Sequence, residues 1–221
     1  MNNKRTEAYS VEIVRNVETG NVERESWTVD GRLNRIGFPA YQEFDPETGV
    51  LTVAGYYQFG LPEREDGPFE QHWDPKTGVC ILERYCRGGK EHRDNDLPST
   101  IRRDAKSGKV IEENYCQFGV KHRHHGPAKL LYDPDTGYVY YEEWCVRGEK
   151  TGTANRPAVV LRNRFSGATV QEEYWKHGLR HRKGQPAYII RDPETGEVKE
   201  KIYFLRGVEQ SGPERKPTFS P

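Results

Sequence analysis

Apolar and aromatic runs alternate with polar, glycine-marked breaks along this chain, and the alternation is periodic. After a proline come five or six extended residues, as in Ala128-Lys129-Leu130-Leu131-Tyr132 or Ala187-Tyr188-Ile189-Ile190-Arg191. An Asp-Pro-x-Thr-Gly sequence follows. Proline presets φ for a turn, Asp bonds the turn backbone, and glycine takes the positive φ at its end. A β-branched and aromatic run then returns, as in Val139-Tyr140-Tyr141-Glu142-Glu143-Trp144, and ends at a second glycine. A polar loop of about eight residues leads to the next proline. Each unit therefore predicts strand, hairpin turn of the type I plus bulge kind, strand and loop. No helical period of useful length is present.

Three residue series share the period. The turn glycines fall at 20, 49, 78, 108, 137, 167 and 196, in steps of 29 or 30 residues. The second glycines, 31, 60, 89, 119, 148, 178 and 207, repeat those steps. Prolines 39, 68, 98, 127, 157 and 186 keep pace, and Pro213 comes slightly early. A fixed period of this size marks a repeat architecture. The expected fold is all-β: an elongated antiparallel β-meander of about seven hairpin repeats. It is expected to form a single array over residues 9–213, with tails at 1–8 and 214–221. Two strands per repeat would make a ribbon on the order of 65 Å long.

Equivalent positions become columns. Four residues before the second glycine stand Trp27, Tyr56, Tyr85, Tyr115, Trp144, Tyr174 and Tyr203, which read as a stacked aromatic core ladder. One residue later stand Thr28, Tyr57, Cys86, Cys116, Cys145, Trp175 and Phe204. Three of the four cysteines are thus one repeat position and read as buried small hydrophobes, not metal ligands. Two residues before the aromatic, Glu25, Glu83, Glu113, Glu142 and Glu172 recur, with the loop arginines as expected partners. Those arginines are Arg35, Arg64, Arg93, Arg123 and Arg182, preceded in three repeats by His92, His122 and His181. Their plain role is to tie each loop to a carboxylate or carbonyl of a neighbour. The sharper role is an anion-binding stripe, richest at His122-Arg123-His124-His125. The motif lapses over Glu149–Asn155, where Thr151, Gly152, Thr153 and Asn155 break the columns.

Composition narrows the functions. The chain is 33% hydrophobic and 31% charged, with 13 Tyr and 4 Trp, which suits a thin folded structure with wet faces rather than a disordered chain. Lys+Arg and Asp+Glu are both 34, so the basic excess that general nucleic-acid binding needs is missing. Met1-Asn2-Asn3-Lys4-Arg5 leads into a polar segment without an apolar run, so no signal peptide or membrane span is expected and a cytoplasmic protein is. No P-loop, G-x-S-x-G, H-E-x-x-H or C-x-x-C motif occurs. No cofactor, metal or catalytic set is expected.

Glu173-Tyr174-Trp175-Lys176-His177-Gly178-Leu179-Arg180-His181-Arg182-Lys183-Gly184 resembles the core of a MORN repeat, E-W-x-x-G-x-x-H-G-x-G. Residues 114–126 and 84–93 are weaker copies. The period is longer than usual, Arg182 stands at the second motif glycine, and the Asp-Pro-x-Thr-Gly turn is an addition. The resemblance implies a β-meander that docks partners or dimerises along its face, and in some bacterial members an antitoxin-like role. The leading expectation is a non-enzymatic protein-binding scaffold, an inhibitor or immunity-type protein that sequesters a bacterial or phage protein. The alternative is an anion binder, of nucleic acid or a phospholipid headgroup, using Arg64, His92, Arg93, His122, Arg123, His124, His125, His181 and Arg182. A protein partner or a second copy is the expected company. The zero net charge and the lack of an amphipathic anchor speak against lipid and nucleic acid.

Overall fold

A computed structural model describes residues 8–212. The expected tails, 1–8 and 214–221, and Pro213 therefore lie outside the described residues, Ala8 excepted. The protein is all-β, with no helix among the described residues. Sixteen strands form an antiparallel meander of hairpins that recur about every 30 residues. Contacts divide the chain between Val120 and Lys121 into two compact units. In the first unit the hairpins are Ser10–Arg15 with Val22–Val29, Tyr41–Phe44 with Leu51–Gly55, Glu70–Trp73 with Cys80–Arg84, and Thr100–Arg103 with Val110–Asn114. In the second they are Lys129–Tyr132 with Val139–Glu143, Val159–Arg162 with Thr169–Glu173, and Tyr188–Arg191 with Val198–Leu205.

The Asp-Pro-x-Thr-Gly turn is built as its residue types demand, with one difference. The Asp45 carboxylate accepts the backbone N–H of Glu47 at 3.2 Å and of Thr48 at 2.8 Å, and the Thr48 hydroxyl at 2.8 Å. Those bonds, the Thr48 backbone bond foremost, hold the Asp45 carboxyl below its ordinary pKa. The Gly49 N–H donates to the Asp45 carbonyl at 2.8 Å. This i→i+4 closure makes the loop longer than the expected type I turn plus bulge. The side chain of Asp45 occupies two successive N–H groups and so keeps the chain winding one residue further. The register shift falls one step away, between Glu43 and Phe44.

The segment read as an irregular loop is partly ordered. The second glycine does not end a strand; it sits in the tip of a two-residue hairpin. Tyr57–Gln58 pairs with Leu61–Pro62, Cys86–Arg87 with Lys90–Glu91, Cys145–Val146 with Glu149–Lys150, and Trp175–Lys176 with Leu179–Arg180. Both tip residues have positive φ, 51° and 81° at Phe59-Gly60 and 50° and 81° at Phe118-Gly119, which defines a type I′ turn. Its twist matches that of the flanking strands. Before each such hairpin the column aromatic interrupts the main strand. Its N–H leaves the ladder for the residue after the next proline, as from Tyr56 to Phe69 at 2.7 Å and from Trp144 to Ala158 at 2.7 Å.

The core is thin. The post-proline position is filled by Ala40, Phe69, Ser99, Ala128, Ala158 and Ala187, all buried. Small residues at five of these six positions, Phe69 being the exception, let the backbones of successive repeats approach. Ile101, Val160 and Ile189, two residues on, are buried on the same face.

Gly119→Ala places a side chain at φ +81° with no steric clash beyond it, since the nearest atom would be Lys90 Cβ at 3.8 Å. Urea unfolding should show a loss of about 1–2 kcal/mol, the ordinary penalty for a left-handed residue. Gly119→Asn should recover part of it. An unchanged midpoint for the alanine variant would contradict the type I′ assignment.

Candidate functional site

Arg35, Arg64, Arg93 and Arg182 share two contacts, a column ring and a proline carbonyl, and neither is the expected carboxylate column. The guanidinium of Arg64 lies 3.9 Å from the Tyr56 ring centroid, that of Arg93 3.6 Å from Tyr85, and that of Arg182 3.6 Å from Tyr174. Arg35 lies 3.8 Å from Trp27. Each then donates from Nη1 to a proline carbonyl in its own loop: Arg64 to Pro68 at 2.8 Å, Arg93 to Pro98 at 3.3 Å, Arg123 to Pro127 at 3.3 Å and Arg182 to Pro186 at 3.4 Å. A flat cation covers a ring face by attraction to its quadrupole and keeps its edge donors for the backbone. The aromatic column is therefore capped by guanidiniums. A Cβ at Gly126 would stand 2.9 Å from Arg123 Nη1, which explains the glycine before the proline in that loop.

The glutamate column takes other partners. Arg103 pairs with Glu83 at 2.6 Å, Arg162 with Glu142 at 2.6 Å and Arg191 with Glu172 at 2.9 Å. These arginines end the post-proline strands and reach back to the adjacent strand of the preceding hairpin. Arg35, at 3.6 Å from Glu25, keeps a trace of the expected pairing. The loop arginines cover the rings with their planes and spend their edge donors on the proline carbonyls instead.

The histidines are tied too. The Nδ1 of His92 accepts the N–H of Phe118 at 3.3 Å, that of His122 the N–H of Arg147 at 3.1 Å, and that of His181 the N–H of Arg206 at 3.1 Å. In each case the donor is the first tip residue of the next type I′ hairpin, and Asn34 accepts from Phe59 in the same way at 3.0 Å. Since Nδ1 accepts, the proton sits on Nε2. His92 offers it to Asp94 at 3.0 Å, and its ring stacks on Phe118 at 4.3 Å. His122 offers it to His124 at 3.3 Å. His124 and His125 are exposed, with ring centroids 6.1 Å apart. No three metal-ligating side chains converge among the described residues.

The candidate residues gather in separate places. Arg64, His92 and Arg93 line one cleft of about 720 Å³ in the first unit. His122, Arg123, His124 and His125 share one loop of the second unit. His181 and Arg182 line another cleft there, of about 390 Å³, together with Thr151, Gly152, Thr153, Asn155 and Trp175. The column break thus forms a wall of this cleft. The break itself is repaired: Arg156 lies 3.6 Å from the Trp144 ring and takes the place of the missing loop arginine. A Cβ at Gly152 would meet the Arg156 carbonyl at 2.4 Å, so only glycine fits where the chain passes.

One polar cluster was missed by the sequence reading. Glu143 is 6% exposed. Its carboxylate accepts Lys121 Nζ at 2.5 Å, Lys150 Nζ at 3.1 Å and the Tyr141 hydroxyl at 2.9 Å. Burial alone would raise its pKa, but the Lys121 bond and charge, with Tyr141 and Lys150, hold it at about 2. Cys145 Sγ lies 3.6 Å from the same carboxylate. Burial, then the Glu143 charge, pushes its thiol up to about 12, which leaves it protonated and no nucleophile. The signal was present: Lys121 and Lys150 stand one repeat apart and flank a carboxylate position. No protein-family model matches the chain, and no curated protein matches it.

Because the folded pKa of Glu143 is depressed, its contribution to stability is complete above about 4.5 and disappears as pH falls toward 2. Glu143→Gln should be less stable than the parent at neutral pH. The parent should lose on the order of 2 kcal/mol more than the variant between those limits, allowing for screening at the part-exposed lysines. Urea midpoints across that range, parallel for the two proteins, would refute this.

Proposed function

We propose that the protein is a non-enzymatic repeat scaffold that binds another protein, and within that class an inhibitor or immunity-type protein that sequesters a bacterial or phage partner. The observation that supports binding is a recurring exposed apolar position at the small hairpin tips. In the first unit Phe59, Leu61, Phe118 and Val120 are exposed; in the second, Val146, Leu179, Leu205 and Val208 are. Apolar groups repeated at the hairpin tips of each unit offer a partner anchor points. The loop polar groups argue the same way. The arginines and histidines spend their donors and acceptors on ring faces, proline carbonyls and tip amides. They leave little for an anion stripe along the whole edge. The inhibitor role rests on the resemblance to MORN-type repeats.

The immobilised chain should retain one protein in stoichiometric amount from a bacterial or phage-infected lysate. Phe59→Ser with Leu61→Ser, both at exposed positions, should lose that protein by at least about tenfold while unfolding at an unchanged midpoint, as exposed substitutions usually do. Recovery of nothing stoichiometric, or equal retention by the folded double variant, would remove the proposal.

A further inference from the structure

The two loop clefts use the same repeat positions with opposite charge. In the first unit Glu63, Glu65, Asp66 and Asp94 line the walls beside Arg64, Arg87 and Arg93. Arg87 is neutralised by Asp94 at 3.0 Å. Counting from the column aromatics, the second unit carries Thr151, Thr153 and Ala154 in place of Glu63, Glu65 and Asp66. It carries Lys176 in place of Arg87 and Lys183 in place of Asp94. An ion pair in one cleft has become two cations in the other.

The cleft that results is lined by Lys176, His177, His181, Arg182 and Lys183 and by no carboxylate. Glu149 stands at its margin, its Cγ 3.6 Å from where a Gly178 Cβ would be. Neither lysine has an ion-pair partner among the described residues. Arg182 is occupied, with Nε on the Ala154 carbonyl at 3.0 Å. The unspent charge is therefore that of the two lysines. Trp175 supplies an apolar wall, and Thr153, Asn155 and Gln185 supply hydroxyl and amide groups. The volume, about 390 Å³, falls in the range of small-molecule sites.

We propose that this cleft binds a phosphate monoester, the phosphate bridging Lys176 and Lys183 and the organic group against Trp175. A monoester carries a charge of about −1.5 to −2 near neutrality, which matches the two lysines lining the cleft better than the single charge of a carboxylate does. None of the residues lining this cleft is one of the exposed apolar tip residues, so the two readings are tested by different variants.

Titration calorimetry on the full chain tests it with three probes: inorganic phosphate, adenosine monophosphate, and phosphatidic acid in phosphatidylcholine vesicles. Saturable binding of at least one is expected at about 20 mM salt, several-fold weaker at about 200 mM. Lys183→Asp restores the charge arrangement of the first cleft. It should unfold no earlier than the parent and bind at least about tenfold more weakly, the factor one lost ion pair of about 1.4 kcal/mol represents. Lys176→Gln provides the same readout should that variant fail to fold. Binding of the soluble ester would assign the ligand to a free metabolite, and binding of vesicles alone to a lipid headgroup. No saturable binding of any probe at low salt, or binding untouched by a folded lysine variant, overturns the proposal.

Discussion

A guanidinium laid flat on an aromatic ring and bonded to the carbonyl of a nearby proline is the contact on which the repeat depends. Each repeat buries little aliphatic surface, so its aromatic column needs a cover that is not itself apolar. Arginine supplies that cover: its face attracts the ring and its edge satisfies a loop carbonyl that would otherwise lack a partner. The clamp at Arg93 shows both contacts, 3.6 Å to the Tyr85 centroid and 3.3 Å to the Pro98 carbonyl. Where Gly152 stands in the arginine column, Arg156 reaches the Trp144 ring from the residue before the proline. The contact has been kept at the expense of the motif.

The histidine column carries the second tie. Each clamp fixes a loop within one repeat, whereas each histidine joins its loop to the tip of the next. His92, His122 and His181 reach forward about 25 residues to a tip amide, and Asn34 does so without a ring. An array in which each unit touches its neighbours is held by such nearest-neighbour bonds. The buried charges obey the same economy of partners. Glu143 is tolerated in the interior because two lysines, a tyrosine and a thiol surround it.

What the sequence made legible was local and periodic. The strands, the Asp-Pro-x-Thr-Gly turns and the glycine spacing follow from turn chemistry and alternation within a few residues, and the all-β meander follows from their period. The type I′ hairpins were not legible because their strands are two residues long and tips such as Phe59-Gly60 and His177-Gly178 lack the usual Asn or Asp. The arginine partners were misassigned because charge suggested the glutamates, while ring faces compete for the same guanidinium only in three dimensions. The break at Thr151–Asn155 was visible as an irregularity. That it walls a cation-lined cleft depends on Lys176 and Lys183, which lie in different segments of the following repeat and line the same cleft only in the fold.

The central claim is that the loop edge is a set of structural ties rather than a free polar surface. Native-state hydrogen exchange of the tip amides tests it most directly. The N–H groups of Phe59, Phe118, Arg147 and Arg206, which donate to Asn34, His92, His122 and His181, should be protected like strand amides. Replacing His92 by Phe, which keeps a ring against Phe118 but removes the acceptor, should expose the Phe118 amide and leave the others protected. Exchange of all four amides at the rate of an open loop would contradict the account.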